Sequence, residues 1–176
     1  MPARALRLLL PAALRENGHR VRNVDGKLSR LCSGCGNQRL QLDLHKVAIR
    51  ARQAPRKQDL LDLIDLLSSL SYPALIHCKS GADRTGFVAA VYLIAVEGRS
   101  LDEAKQQLSL RFGHLRYSRA GVLRQAIEAY GRDRGAAGMD FRTWVDCLYD
   151  PDEVALRFRA RSFAVAFTGR LFRCED

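Results

Sequence analysis

Nowhere does the sequence hold the ~20 consecutive apolar residues that a membrane-spanning helix requires, so no such helix is expected. Cysteine is sparse. Five residues, an odd number at irregular spacings and without a convincing export signal, do not make a disulfide framework; they point to a reducing compartment, the cytoplasm. Cys32 and Cys35 have the spacing of half a zinc site or of a redox pair, but no second such pair and no histidine pair completes a tetrahedral set. They read as two thiols in an irregular loop, and neither a metal nor any other cofactor is expected. Aromatic residues make up 7% of the chain, poor support for base stacking, and no nucleic-acid partner is expected. There is no internal repeat and no low-complexity tract.

What the sequence does contain suits one domain over residues 1–176, with a helical C-terminal extension from about residue 139. At 47% hydrophobic, 176 residues can bury a core without covalent staples. Twenty-nine Lys and Arg against 19 Asp and Glu leave a formal charge of +10, which favours anionic partners such as phosphate esters, nucleic acid or acidic lipid. Charge by itself does not choose among them. Met1 to Arg15 carries arginines, a Leu8-Leu9-Leu10 core and no acidic residue, but Pro11 interrupts its short apolar run. It reads as a frayed or docked helix rather than a targeting peptide.

From His19 to Leu31 the pattern predicts a hairpin, two short strands around the turn dipeptide Asp25-Gly26. Leu42, Leu44, Val47 and Ile49 predict a half-buried strand between Leu40 and Arg52, running into a basic loop with Arg50, Arg52, Arg56 and Lys57. Leu60, Leu61, Leu63, Ile64, Leu67 and Leu70 place a helix over Gln58 to Leu70, with Asp59, Asp62 and Asp65 on its solvated side. A buried helix over Thr85 to Glu97 is stopped by Gly98, and a capping box from Ser100 to Glu103 opens the next, to about Leu110. Arg111 to His114 reads as a turn, Gly121 to Tyr130 as helix and Gly131 to Gly138 as a glycine-rich linker. Phe141 to Leu148 is helical, and Asp150-Pro151 starts a last helix. Leu156, Ala160, Phe163 and Phe167 form one stripe on that helix, expected to dock on the core, although a basic amphipathic end also suits an acidic membrane surface. A strand-rich first third followed by a helical second half gives an α/β or α+β domain.

Between the halves lies Ala74 to Ala90, where a short apolar strand ends at Cys78, passes through five residues and reaches Arg84 before an apolar helical pattern begins. That layout is an anion cradle with a thiol at its centre, because loop N–H groups can all face inward and the helix adds its positive end. Beside cationic groups at a helix N-terminus a cysteine ionises readily, so Cys78 is the candidate nucleophile. The amides from Lys79 through Ser80, Gly81, Ala82 and Asp83 to Arg84 would bind phosphoryl oxygens, and the planar Arg84 guanidinium offers two parallel bonds that a lysine cannot reproduce. Thr85 can donate to the cysteine sulfur, or simply fill a first-turn helix position. His77 supports the loop, or is an ordinary strand-end histidine. Gly81 and Gly86 stand where backbone must bend or approach closely.

His-Cys-Lys-Ser-Gly-Ala-Asp-Arg-Thr-Gly at 77–86 resembles the signature of the cysteine-based protein tyrosine phosphatase superfamily, in its dual-specificity-like branch and especially its bacterial members. The resemblance runs from about Leu44 to Tyr149. It implies an α/β fold, a small central sheet flanked by helices, here with a reduced N-terminal part because Ser33 to Arg39 is too short for the helix and strand expected there. It also implies metal-independent two-step hydrolysis, with Cys78 as nucleophile and Arg84 as phosphate ligand. The partner would be a phosphorylated protein or a small, highly anionic phosphate ester. Members of the superfamily usually carry an aspartate roughly thirty residues before the cysteine as general acid, yet Arg50 to Lys57 contains no carboxylate. Asp83 is the candidate replacement, as myotubularin-like lipid phosphatases carry an aspartate at that relative place; otherwise it is a loop carboxylate paired with an arginine. Asp43 and Asp59 are more distant candidates. Without an acid the chain would be a pseudophosphatase that binds without turnover. Rhodanese-like sulfur transfer is the other chemistry that uses a cysteine in an anion-binding loop.

Overall fold

The computed structural model describes residues 19–23, 44–70, 72 and 74–171. Three short parallel strands, β1 (His19–Asn23), β2 (Leu44–Val47) and β3 (Ala74–His77), form a sheet in the order β2-β1-β3. Val21 lies opposite His45 on one side and Ile76 on the other. The predicted hairpin is corrected by this pairing. Both edges of β1 are occupied, so a strand returning from Asp25-Gly26 has no edge of β1 to join. The return strand itself, Cys32, Cys35 and Asp43 lie outside the described residues.

Beyond β2 the chain keeps its period of two, with Val47 and Ile49 buried and Lys46, Ala48 and Arg50 exposed. Helix α1 (Lys57–Ser69) buries Leu60, Leu63, Ile64 and Leu67, while Asp62 and Asp65 face solvent and Asp65 pairs with Arg142. Helix α2 (Asp83–Ala95) is buried continuously from Arg84 to Leu93. An apolar surface on all sides makes it the core helix. It packs on β3 and α1, and on α3 (Leu101–Gln106), α4 (Gly121–Ala137) and α5 (Phe141–Cys147). The predicted capping box is present at α3: Ser100 Oγ accepts from the Glu103 amide and Glu103 Oε2 accepts from the Ser100 amide. The helix is shorter than expected, giving way to a 3-10 turn, Leu110–Phe112, that closes on Gly113 at φ +77°.

Two further expectations are corrected. Gly131 to Gly138 is no linker, since α4 continues to Ala137 and stops only at Gly138, φ +61°. Gly131 is there for proximity: a Cβ on it would lie 2.2 Å from Leu101 Cδ2, so glycine lets α3 and α4 approach closely. On α6 (Pro151–Leu171), Leu156 is 68% exposed and Ala160 is also exposed, while the side chains of Phe163 and Phe167 lie outside what is described; the core is met by buried Val154 and partly buried Phe158. Positions 154 and 158 are one helical turn apart, and Leu156 falls on the opposite side of the helix. As expected, Asp150 caps α6, its Oδ1 accepting from the Asp152 and Glu153 amides.

Tyr130, Phe141, Trp144 and Tyr149 form an aromatic cluster with centroids 5.0 to 5.6 Å apart. The Tyr149 hydroxyl donates to the Pro55 carbonyl at 2.7 Å, and Lys57 Nζ donates to the Asp146 carbonyl at 2.9 Å. The helical half thereby anchors the basic loop between β2 and α1. No helix among the described residues is long and apolar enough to cross a membrane.

Candidate active site

In a parallel sheet the C-terminal ends of the strands share one side, and binding crevices open there. On that side β3 delivers Cys78, the loop follows, and α2 begins at Asp83. The helix cap is Ala82, which has no side-chain oxygen to offer, so the first amides of α2 are left for another acceptor. One of them, that of Thr85, finds the cysteine, and two loop amides join it. The backbone amides of Ser80, Gly81 and Thr85 hydrogen-bond to the Cys78 sulfur. Gly81 sits at φ +71°, a left-handed conformation that turns its amide inward at no steric cost to glycine.

Burial by itself would push the Cys78 thiol up, but the Thr85 hydroxyl and the amides of Thr85, Gly81 and Ser80 outweigh it and hold the thiol below its ordinary value. Thr85 Oγ1 is buried and, among the described residues, has no hydrogen-bond partner within ordinary distance and angle limits, so its hold on the sulfur is loose. Arg84 is 9% exposed, a guanidinium enclosed in the second position of α2. Lys79 and Ser80 are exposed at the mouth, and His77 is half-buried at the end of β3. Gly86 meets its expectation: a Cβ there would come within 2.6 Å of the Gln107 carbonyl oxygen. The core helix thus lies directly on the backbone that follows α3.

At the same end of the sheet, after β2, a cleft of about 100 Å³ is lined by Ala48, Arg50, Gln53, Ala54, Pro55, Arg56 and Asp59. Arg50 donates to Gln53 Oε1 at 3.1 Å, and Arg52 stands exposed nearby in sequence. The cleft's carboxylate, Asp59, is half-buried on the first turn of α1.

Asp83 has a partner the sequence did not disclose. Its Oδ1 lies 2.8 Å from Nδ1 of His114, whose side chain is wholly buried. No arginine pairs with Asp83 among the described residues. His114 reads in the sequence as part of a turn, and the contact spans 31 positions, so no local pattern announces it. Among the described residues no cluster of His, Cys, Asp and Glu is arranged to hold a metal ion.

Residues 27–98 match a family model described as a polymorphic toxin system, DSP-PTPase phosphatase. This segment is similar to a dual-specificity-like phosphatase family. The matched segment includes β2, α1, β3, the Cys78 loop and α2, and it excludes β1 and His114. Neither a curated protein nor a solved structure matches the chain.

Proposed function

We propose that the chain is a cysteine-dependent phosphoric monoester hydrolase with a protein tyrosine phosphatase-like fold. The observation that carries this reading is the convergence of three backbone amides on the Cys78 sulfur, in the loop that also encloses Arg84. The loop amides around the thiol are the donors that equatorial phosphoryl oxygens need, and Arg84 supplies the fork that tightens as charge spreads in the transition state. Cys78 Sγ attacks phosphorus, the S–P bond forms as the P–O bond to the leaving group breaks, and Asp83 gives its proton to the departing oxygen. Water then attacks phosphorus and returns a proton to Asp83; the S–P bond breaks, releasing phosphate and the thiolate. Thr85 eases that second departure by donating to the sulfur.

The substrate is a phosphorylated protein or a small, highly anionic ester such as an inositol phosphate or phosphoinositide. Exposed Lys79 in the loop and Arg50 and Arg56 in the neighbouring cleft suit the more anionic end of that range. Purified protein is expected to hydrolyse an aryl phosphate in the presence of a chelator. Cys78→Ser should abolish that activity, and turnover that survives the substitution refutes the assignment. Arg84→Lys is expected to lose about 100-fold in kcat/KM, since a point charge replaces a fork. Phosphate release from phosphopeptides, inositol phosphates and lipids, with Cys78→Ser as control, identifies the substrate.

The carboxylate-free stretch Arg50 to Lys57 favours one competing reading, a binding protein without turnover. Tight ligand binding that depends on Arg84, with no burst of product, would select it.

A further inference from the structure

We infer that His114 is a positioning residue for the proton donor: it holds one carboxylate oxygen of Asp83 so that the other carries the proton to the leaving group. The inference deepens the function proposed above and rests on the reading of Asp83 as the acid.

His114 has no exposed side-chain surface, and its Nδ1 meets Asp83 Oδ1 at 2.8 Å. A buried imidazole is costly unless both ring nitrogens are satisfied, and here Nε2 is buried with no partner among the described residues. Among those residues the Asp83 bond is therefore the polar contact that offsets the burial of this ring. It also fixes the tautomer. A buried N–H without an acceptor is worse tolerated than a buried lone pair, so the proton sits on Nδ1 and is donated to Oδ1. With Oδ1 engaged as acceptor, a protonated Asp83 must carry its own hydrogen on Oδ2. The Asp83 side chain is 28% exposed, so the carboxyl that the ring holds by Oδ1 is not sealed from the loop's mouth, and Oδ2 is left to face a leaving group.

The chain around His114 is shaped for this contact. The 3-10 turn closes with the Gly113 amide on the Leu110 carbonyl and the His114 amide on the Ser109 carbonyl. Gly113, at φ +77°, sets its backbone against the loop: a Cβ there would lie 3.5 Å from that of Ala82, the residue before Asp83. The turn after α3 is thus built against the phosphate loop at the place where a carboxylate needs an orientation. Asp83, as first residue of α2, has a fixed backbone but a side chain with two rotatable bonds, and one hydrogen bond from a rigid buried ring removes that freedom.

The test is steady-state hydrolysis of a series of aryl and alkyl monophosphates by the full chain, comparing wild type, Asp83→Asn, His114→Leu, His114→Asn and the double variant Asp83→Asn/His114→Leu. His114→Leu is expected to lose activity in a way that grows with leaving-group basicity, from about twofold on 4-nitrophenyl phosphate to on the order of 10- to 100-fold on alkyl phosphates. Asp83→Asn should follow the same slope, the double variant should fall no further, and His114→Asn, whose amide N–H reaches the same oxygen, should recover most of the loss. A His114→Leu loss equal on all substrates, or no loss, overturns the inference while leaving Asp83 as acid if Asp83→Asn is selective. If Asp83→Asn shows no selectivity, the acid reading falls and this inference with it. Should His114→Leu not fold, nitrogen NMR of the wild-type histidines decides: an Nδ1–H tautomer at His114 perturbed by Asp83→Asn supports it, and an Nε2–H tautomer overturns it.

Discussion

Cys78 is nine per cent exposed, and a thiol so placed should be reluctant to ionise; the hydrogen bonds it accepts reverse the sign. A thiol held below its ordinary value stays a thiolate until the pH falls through that lowered value, so activity and alkylation should persist well below the ordinary thiol range and decline toward acid. Thr85→Val removes the side-chain donor and should move this acid limb upward, read from the pH dependence of iodoacetamide labelling. An unmoved limb would assign the shift to the backbone amides alone. The strand, loop and helix that carry Cys78 and Arg84 were legible in the sequence, as were the bend at Gly81 and the close approach at Gly86, because apolar runs and glycines mark them locally. His114 was not, since neither its burial nor its contact with Asp83 leaves a trace in local pattern.

Helix α2 owes its placement to Gly86, where α2 lies against the Gln107 backbone. Gly86→Ala puts a methyl group 2.6 Å from a carbonyl oxygen that cannot swing aside, and should cost about 2 kcal/mol on chemical denaturation. Because Thr85 and Arg84 precede that contact in the same helix turn, turnover should fall as well. A stable and active Gly86→Ala protein would contradict the role given to this contact. Capping residues and core-facing leucines were readable from spacing alone: Ser100 with Glu103, Asp150 with Pro151, and the buried set of α1. Gly131 was misread as a loop signal because glycine marks two physical situations, a turn and a close approach, and only the packing partner, Leu101, tells them apart. The hairpin expected around Asp25-Gly26 failed for a different reason. A turn dipeptide specifies local geometry, whereas the partners of β1 are drawn from far along the chain.

Helix α6 is tied to the rest of the molecule by more than Val154. Glu128 on α4 accepts from Arg124 Nε at 2.9 Å, Arg116 at 3.2 Å and Arg161 of α6 at 2.8 Å, gathering three guanidinium groups of a chain with a formal charge of +10 on one carboxylate. Burial would raise the Glu128 carboxyl, but the Arg124 hydrogen bond and the charges of Arg116 and Arg161 take it below the usual glutamate range. A carboxylate lower in the folded than in the unfolded chain adds stability above its unfolded pKa and loses it as the pH falls through the folded one. Glu128→Gln should therefore cost about 2 kcal/mol at neutral pH. The gap in Tm between variant and wild type should shrink below about pH 4. A gap that does not change with pH would mean that the glutamate acts by packing and not by charge.

The sheet order has a consequence for how the chain becomes folded. The strand made first, β1, is the one that joins the other two: His19 pairs with Ala74 and Arg20 with Leu44, so neither ladder closes until residues far downstream exist. Such long-range pairing slows folding and leaves strand edges unpaired in the meantime. During synthesis β1 must wait with both edges open while the loop that holds Cys78 is still being assembled. The matched segment, 27–98, begins after that strand, so on its own it holds β2 and β3 without the strand that pairs with both in the sheet. Expressed alone, it is expected to show no cooperative melt; a sharp thermal transition from that fragment would show that the part of the chain carrying the Cys78 loop can fold without β1.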